Sequence, residues 1–345
     1  MAMINQINNS KYCDPIFPIS GGVYRPLWSV MIPTYNCANY LRETLASVLA
    51  QDPGSEIMQI EVVDDHSTKD DPEAVVKELG GDRVSFYRQP ENVGYIKNFN
   101  TCLERSQGKI VHLLHGDDYV LNGFYSKMQQ LFEKHPETGA AFCRHVLMNH
   151  QGHWQSISRL EQPESGILGS WLEQIASGQR LTTPSIVVKR EAYEKLGGYD
   201  SRFTYTGEDW EMYVRIATNY SVAYEVEPLA IYRFSQGSLS QNSVRSGLFF
   251  QDLRLANEII QSYLPNHLYQ KDCDKISLKA KETYANWAII NANETLNTSG
   301  DVQVSLVQIK ESIKSGLSFK IGIKLTLALL KITFYQFKQI RQSAR

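Results

Sequence analysis

Residues 28–36, WSVMIPTYN, decide the reading of this chain. The apolar run SVMIP stops at Pro33 and opens into Thr34-Tyr35-Asn36, a turn that offers two hydroxyls and an aromatic face. Just beyond it, about residues 40–51 place Leu41, Leu45, Val48 and Leu49 on one helical face, the i, i+4, i+7, i+8 spacing of a stripe packed on a sheet. A second apolar strand, IEVVD, follows at 60–64. The alternation continues with a helix near 72–79, a strand at 84–88, a helix near 96–106 and a strand at 110–114. Val- and Ile-rich strands separated by helices predict βαβ units and a mainly parallel sheet covered on both faces.

Working outward, the order loosens after Asp118. Helices are expected near 124–135, 168–177 and 209–218, strands at 140–145 and 185–189, and a loop or hairpin over 149–163. From about residue 247 the pattern is almost wholly helical. The chain therefore divides into a polar N-terminal arm (1–27), an α/β domain (28–245) and a helical C-terminal region (246–345). Ordinary apolar and charged fractions exclude disorder for most of the 345 residues. Lys+Arg 35 against Asp+Glu 37 leaves no global field to attract nucleic acid. Five scattered cysteines without metal or redox spacing read as free thiols of a reducing compartment. The first residues lack the apolar core of a signal peptide, and no apolar run is long enough to span a bilayer. The expected location is the cytoplasm.

In a doubly wound sheet, ligands bind beyond the carboxyl ends of the strands. Three polar motifs sit there: Pro33-Thr34-Tyr35-Asn36, Asp64-Asp65-His66-Ser67-Thr68 and His115-Gly116-Asp117-Asp118. Asp, Asn and Ser are common turn and cap residues, so a single Asp-Asp pair would say little. Two pairs closing apolar strands of one sheet suggest a joint purpose. Carboxylates gathered at one edge raise each other's pKa unless a cation or donors relieve them. A divalent cation such as Mg²⁺ takes one or two carboxylates and leaves its other positions to water and phosphate oxygens. A departing diphosphate needs such neutralisation. The remaining pair could accept from a nucleobase N–H or ribose hydroxyls. With no G-x-G-x-x-G and no Walker lysine loop, dinucleotide dehydrogenases and P-loop kinases are disfavoured.

The motifs SVMIPTYN (29–36), VVDDHS (62–67), ENVGYIKNFN (91–100), LLHGDDY (113–119), GGYDSRF (197–203), GEDWEMYVRIA (207–217) and YRFSQGSLS (232–240) occur in order. Over residues 28–240 the chain thereby resembles the family 2 glycosyltransferases of GT-A fold. The resemblance implies a Rossmann-like mixed, mainly parallel sheet. It also implies transfer of a sugar from a nucleotide-diphosphate donor, usually a UDP-sugar, with inversion. Pro33, Thr34, Tyr35 and Asn36 match the loop against the nucleoside. Asp65 matches the carboxylate that pairs with the base, with Asp64 its neighbour. Asn92, Gly94 and Lys97 lie where the family closes over nucleotide or diphosphate. Asp117 matches the metal-ligating aspartate, with Asp118 beside it as a second metal and nucleotide candidate, so a divalent metal, Mn²⁺ or Mg²⁺, is the implied cofactor. Two positions depart from the common pattern: His115 stands where the acidic triplet often begins, and Ser235 where relatives carry a metal-side histidine. Arg233 is left as a candidate diphosphate contact.

The same resemblance makes Asp209 the catalytic base, with Glu208 as fallback and Trp210 as a desolvating or sugar-stacking neighbour at the acceptor. A carboxylate serves as base when its pKa is lifted toward neutrality and it reaches the acceptor hydroxyl. At a helix start, Asp209 also suits the helix dipole, which lowers its pKa. Trp154, Trp171 and Tyr205 are available as further aromatic platforms, with a place in the core as the other reading of each. The implied enzyme is a hexosyl- or N-acetylhexosaminyl-transferase acting on a saccharide or lipid-linked acceptor in surface polysaccharide synthesis. The nearest alternative is a catalytically silent nucleotide-sugar-binding scaffold of the same fold. A nucleotidyltransferase would call for a Gly-rich basic loop where PTYN stands.

Residues 310–345 carry eight basic residues (Lys310, Lys314, Lys320, Lys324, Lys331, Lys338, Arg341, Arg345) against one acid, Glu311. At about 100° per residue, Lys320, Lys324, Lys331 and Lys338 form one stripe on a broadly apolar helix. Such a helix suits the anionic inner face of a membrane. Packing on the α/β domain or on a second copy of the chain is the other reading.

Overall fold

The computed structural model describes residues 11–234, 239–316 and 318–343. Ser235, Arg345 and the side chains of Lys338 and Arg341 lie outside the described residues. The chain forms two compact units. The first holds residues up to 172, 180–202 and 212–235, and the second holds 173–179, 203–211 and 236–345. Two short stretches, 173–179 and 203–211, thus group with the helical unit although they precede residue 246.

The first unit is built on strands β1 (Trp28–Thr34), β2 (Met58–Asp64), β3 (Ser85–Arg88), β4 (Ile110–Leu113), β5 (Tyr119–Val120), β6 (Thr138–Asn149), β7 (Trp154–Ile157), β8 (Gly166–Ile167), β9 (Ile186–Lys189) and β10 (Ser221–Phe234). They join one sheet in the order β3-β2-β1-β4-β9-β6-β10-β5, with β7 beside β6 and β8 beside β10. β3, β2, β1 and β4 are parallel neighbours, and β9 runs antiparallel to both β4 and β6. The sheet is mixed and mainly parallel, as expected.

Every residue of β1 is buried, because both faces of a parallel sheet are covered. Helix α1 (Ala38–Leu49) lays Leu41, Leu45 and Val48 into the core with Val30, Ile32 and Val62. Helix α2 (Pro72–Gly80) starts at Asp71, whose carboxylate accepts from Ala74 N at 3.2 Å, with proline at the first turn where its missing N–H costs nothing. Helices α3 (Tyr95–Arg105) and α4 (Phe124–Lys134) follow β3 and β5. The expected hairpin over 149–163 is the antiparallel pairing of β6 with β7.

Strand β10 departs from the sequence reading, which found no strand there. It pairs with β6 in parallel, with register shifts between Glu225, Pro228 and Ala230. Proline cannot donate to the ladder, and a bulge absorbs it. That interruption, with Glu225 and Glu227 beside it, hides a fourteen-residue strand from a periodicity search. Helices α5 (Trp171–Ala176), α6 (Arg190–Leu196) and α7 (Glu208–Ala217) complete the middle of the chain.

The second unit contains α8 (Leu239–Ser246), α9 (Leu248–Tyr263), α10 (Gln270–Ser299), α11 (Val302–Ser315) and α12 (Phe319–Ser343). A core cluster joins Ala285, Ile289 and Leu296 of α10, Ile309 of α11, and Ile321, Leu325, Ala328 and Ile332 of α12. One face of the basic tail helix is therefore packed on its own unit. Among the described residues, no helix is long and apolar enough to cross a membrane.

Candidate active site

Because β1, β2 and β4 are adjacent and parallel, the three sequence motifs leave the sheet at the same edge. Backbone bonds knit the loops together: Asp65 N donates to Thr34 O at 2.9 Å, and Gly116 N to Pro33 O at 3.0 Å. A Cβ on Gly116 would stand 2.8 Å from Thr34 Oγ1 and 3.1 Å from Cys37 Sγ, so only glycine lets this approach occur. Asn36 adopts φ +51°, a conformation asparagine tolerates better than most residues. There its Oδ1 accepts from Thr68 N and Lys69 N, each at 3.0 Å. Pro33 and Thr34 are buried, whereas Tyr35 is 48% exposed and leaves its ring open to solvent.

The two acids after β2 differ. Asp64 is fully buried; it accepts from Ser67 N at 3.1 Å and from Arg88 Nε at 2.8 Å. It braces the loop. Asp65 Oδ1 accepts from Val93 N at 2.8 Å, and Oδ2 from Gly94 N at 3.1 Å. Asn92 Nδ2 reaches Asp65 O at 3.1 Å, so the 92–94 turn closes on this one aspartate. Gly94, at φ +87°, begins α3. Burial raises the Asp65 carboxyl above its ordinary range despite the two N–H donors. Lys97, one turn into α3, is exposed.

After β4, His115, Asp117 and Asp118 bring their ligand atoms within 4.8 Å of one another. His115 stacks on Phe99 at 4.9 Å. Its Nδ1 lies 3.7 Å from Asp118 Oδ2, and burial lowers its pKa to about 4. Asp118 Oδ1 accepts from Arg233 N at 2.7 Å. Buried Asp118 Oδ2 and His115 Nε2 have no hydrogen-bond partner. Burial raises the carboxyls of both Asp117 and Asp118, and Asp117 raises Asp118 further. Neutral imidazole, two crowded carboxylates and two orphaned buried atoms form a donor set that fits a divalent cation. His115, which stands where the acidic triplet of the family often begins, belongs to this set.

Arg233, at the end of β10, is committed within this unit. Its guanidinium donates to Asp117 O at 3.0 Å and to Glu43 at 2.7 Å, and lies 4.5 Å from the centre of the Tyr40 ring. Glu43 and Tyr40 on α1 were not singled out in the sequence, since an exposed helical acid carries no motif.

In the second unit, α7 opens after Gly207. That residue has φ +92°, and a Cβ there would meet Phe203, Ala256 and Asp252 at 3.2–3.3 Å. Glu208 and Asp209 are both buried. Asp209 Oδ1 accepts from Trp210 N at 2.7 Å, and Oδ2 from Gln179 Nε2 at 2.5 Å. Burial outweighs these bonds and pushes the Asp209 carboxyl up to about 6. The helix dipole therefore does not win. Gln179 was missed by sequence reasoning, because a lone glutamine thirty residues away carries no signal. Trp210 requires a correction: it is fully buried, donates Nε1 to Ile175 O at 2.7 Å and meets Tyr284 edge-on. It has no open face for a sugar. Trp171 is likewise buried against Phe142, while Trp154 is 55% exposed.

Strand-end loops and an acidic cluster at one edge of a mixed, mainly parallel sheet are the arrangement of a GT-A fold. Residues 29–197 match the model "Glycosyl transferase family 2", and residues 167–293 match "Glycosyltransferase like family 2". The chain belongs to the family 2 glycosyltransferases and is a glycosyltransferase. It is 27% identical over 237 residues to an uncharacterized glycosyltransferase of Rickettsia prowazekii, covering 67% of this chain and 71% of that one. It is 30% identical over 110 residues to the minor teichoic acid biosynthesis protein GgaB of Bacillus subtilis, covering 31% of this chain and 12% of that one. Its fold matches residues 1–349 of TarS of S. aureus, solved in complex with UDP-GlcNAc. The TM-score is 0.62 at 16% identity, with 92% of each chain covered.

Proposed function

We propose that this glycosyltransferase moves a hexosyl or N-acetylhexosaminyl group, with inversion, from a UDP-sugar to a saccharide or lipid-linked acceptor in surface polysaccharide synthesis. It would act at the cytoplasmic face of the membrane. The observation that carries the reading is the shared edge: the Pro33–Asn36, Asp64–Thr68 and His115–Asp118 loops leave adjacent parallel strands and bond to one another. UDP-GlcNAc bound in a protein of this fold and a teichoic acid relative support the donor and the pathway.

Tyr35 offers a face to the base, and Asp65 an acceptor to its N–H once the 93–94 amides yield. Asp117, Asp118 and His115 would hold a divalent metal, Mn²⁺ or Mg²⁺, which supplies positive charge to the departing diphosphate. Arg233 holds the acidic loop in shape rather than reaching the phosphates. Asp209 takes the proton of the acceptor hydroxyl as its oxygen bonds to the anomeric carbon and the bond to the diphosphate breaks. A carboxyl titrating near 6 is charged at neutral pH and still basic enough for this work.

The test is a screen of UDP- and GDP-sugars for hydrolysis and transfer with Mn²⁺, with Mg²⁺ and with chelator. Metal-dependent release of UDP from one donor is expected. Tight nucleotide binding without turnover of any donor, across saccharide and lipid-linked acceptors, would reject the reaction proposed here.

A further inference from the structure

Helix α12 has two apolar faces, and only one of them is covered. Ile321, Leu325, Ala328 and Ile332 are buried in the core of the helical unit. Phe319, Ile323, Leu327, Leu330, Phe334 and Phe337 are 50–88% exposed. At about 100° per residue, these six fall within an arc of about 80°. At about 1.5 Å rise per residue, they make a straight stripe about 27 Å long. Scattered exposed apolar residues need no explanation, but a continuous row of them marks a surface that meets something apolar.

The flanks of the stripe show what that is. Lys320, Lys324 and Lys331 occupy the neighbouring arc, between the exposed stripe and the packed face, and Lys338 shares it by spacing. Lys320 and Lys331 are exposed, while Lys324 Nζ is held by Asn286 Oδ1 at 2.5 Å. Phe319–Ser343 contains no Asp or Glu. A second copy of α12 laid against this face would offer the lysines no carboxylate. An anionic headgroup layer offers them phosphate at the depth where an apolar stripe enters the acyl boundary, and lysine stems extend along apolar surface to reach it.

We infer that α12 is an interfacial helix that seats this protein on an anionic lipid bilayer. The stripe enters the boundary between headgroups and acyl chains, and the lysine edge lies in the headgroups. The helix lies in the plane of the membrane; among the described residues, no helix is long and apolar enough to cross one.

The experiment is flotation of the full chain with vesicles of phosphatidylcholine alone and of phosphatidylcholine with about one third phosphatidylglycerol. It is scored without donor or metal, so a failed transferase assay leaves it untouched. Binding to the anionic vesicles should be at least about tenfold stronger and should fall with salt. Leu327→Gln/Leu330→Gln/Phe334→Gln should weaken it at least about tenfold, with far-UV circular dichroism unchanged. Lys320→Glu/Lys331→Glu, at two exposed side chains, should do the same and serves if the triple variant does not fold. Equal or absent binding to the two vesicle types would overturn the inference. So would variants that bind like the parent, or a triple variant whose effect is to turn a dimer into a monomer by light scattering.

Discussion

The backbone N–H of Arg233 donates to Asp118 Oδ1 at 2.7 Å, so the end of β10 fixes the acidic loop after β4. The same residue's guanidinium reaches the neighbouring carbonyl, Asp117 O, at 3.0 Å. One residue thus sets both the shape and the field of the acidic cluster, since its charge lowers the carboxyls that burial raises. Arg233→Met keeps the backbone bond and removes the charge. Asp117 and Asp118 should then titrate higher, and Mn²⁺ binding in the presence of UDP should require a higher pH. Isothermal titration at several pH values checks this. Loss of charge-assisted bonds should also cost about 1–3 kcal/mol of stability. An unchanged pH dependence would remove Arg233 from the field argument.

Asp118 is buried with Oδ2 unpartnered, and that predicts opposite effects on stability and binding. In Asp118→Asn the amide oxygen can still accept from Arg233 N, while the buried negative charge is gone. Thermal unfolding in chelator should show the variant as stable as the parent or more so. Its metal-dependent UDP affinity should fall at least about tenfold. Parallel losses of both would mean that Asp118 serves only the fold.

Asp64 and Asp65 are adjacent in sequence and separate in role. Asp64→Asn weakens the bonds to Arg88 and Ser67 at a fully buried position, so stability should drop by about 1–3 kcal/mol. Asp65→Asn turns one acceptor oxygen into a donor facing the 93–94 amides. UDP affinity should fall about tenfold or more while the melting temperature moves little. Calorimetry on both variants separates the two roles, and a reversed pattern would exchange the assignments.

The contrast between these two acids shows what the sequence could and could not supply. Apolar strands closing in Asp-Asp placed both pairs at one sheet edge, because strand ends in a parallel sheet are set by periodicity and turn residues alone. Which acid braces its own loop and which holds the 92–94 turn depends on partners 24 to 29 residues away, Arg88 and Val93-Gly94. No local pattern encodes such pairing. Strand β10 was hidden by Pro228 and its bulge. Trp210 attracted a sugar-stacking role that its burial denies. Motif position locates a side chain along the chain, and only packing decides whether its face is open.

Asp209 yields the sharpest pH prediction. Its carboxyl is raised from 3.8 to about 6 by burial, so the folded state binds the proton more tightly than the unfolded chain. The sign follows: below about pH 4 both states are protonated and Asp209 costs nothing. As pH rises through 6 the unfolded chain gains up to about 3 kcal/mol relative to the fold. Asp209→Asn should therefore unfold like the parent near pH 4 and be more stable at pH 8. The gain should stay below that limit, because Gln179 Nε2 must exchange its acceptor. Activity should move the other way. The parent's kcat should climb about tenfold per pH unit below 6 and then level, while the variant should be slower by about 10²–10⁴-fold with no inflection there. A variant that keeps the parent's inflection would assign the base to another group, and Glu208, also buried, would be the next to replace.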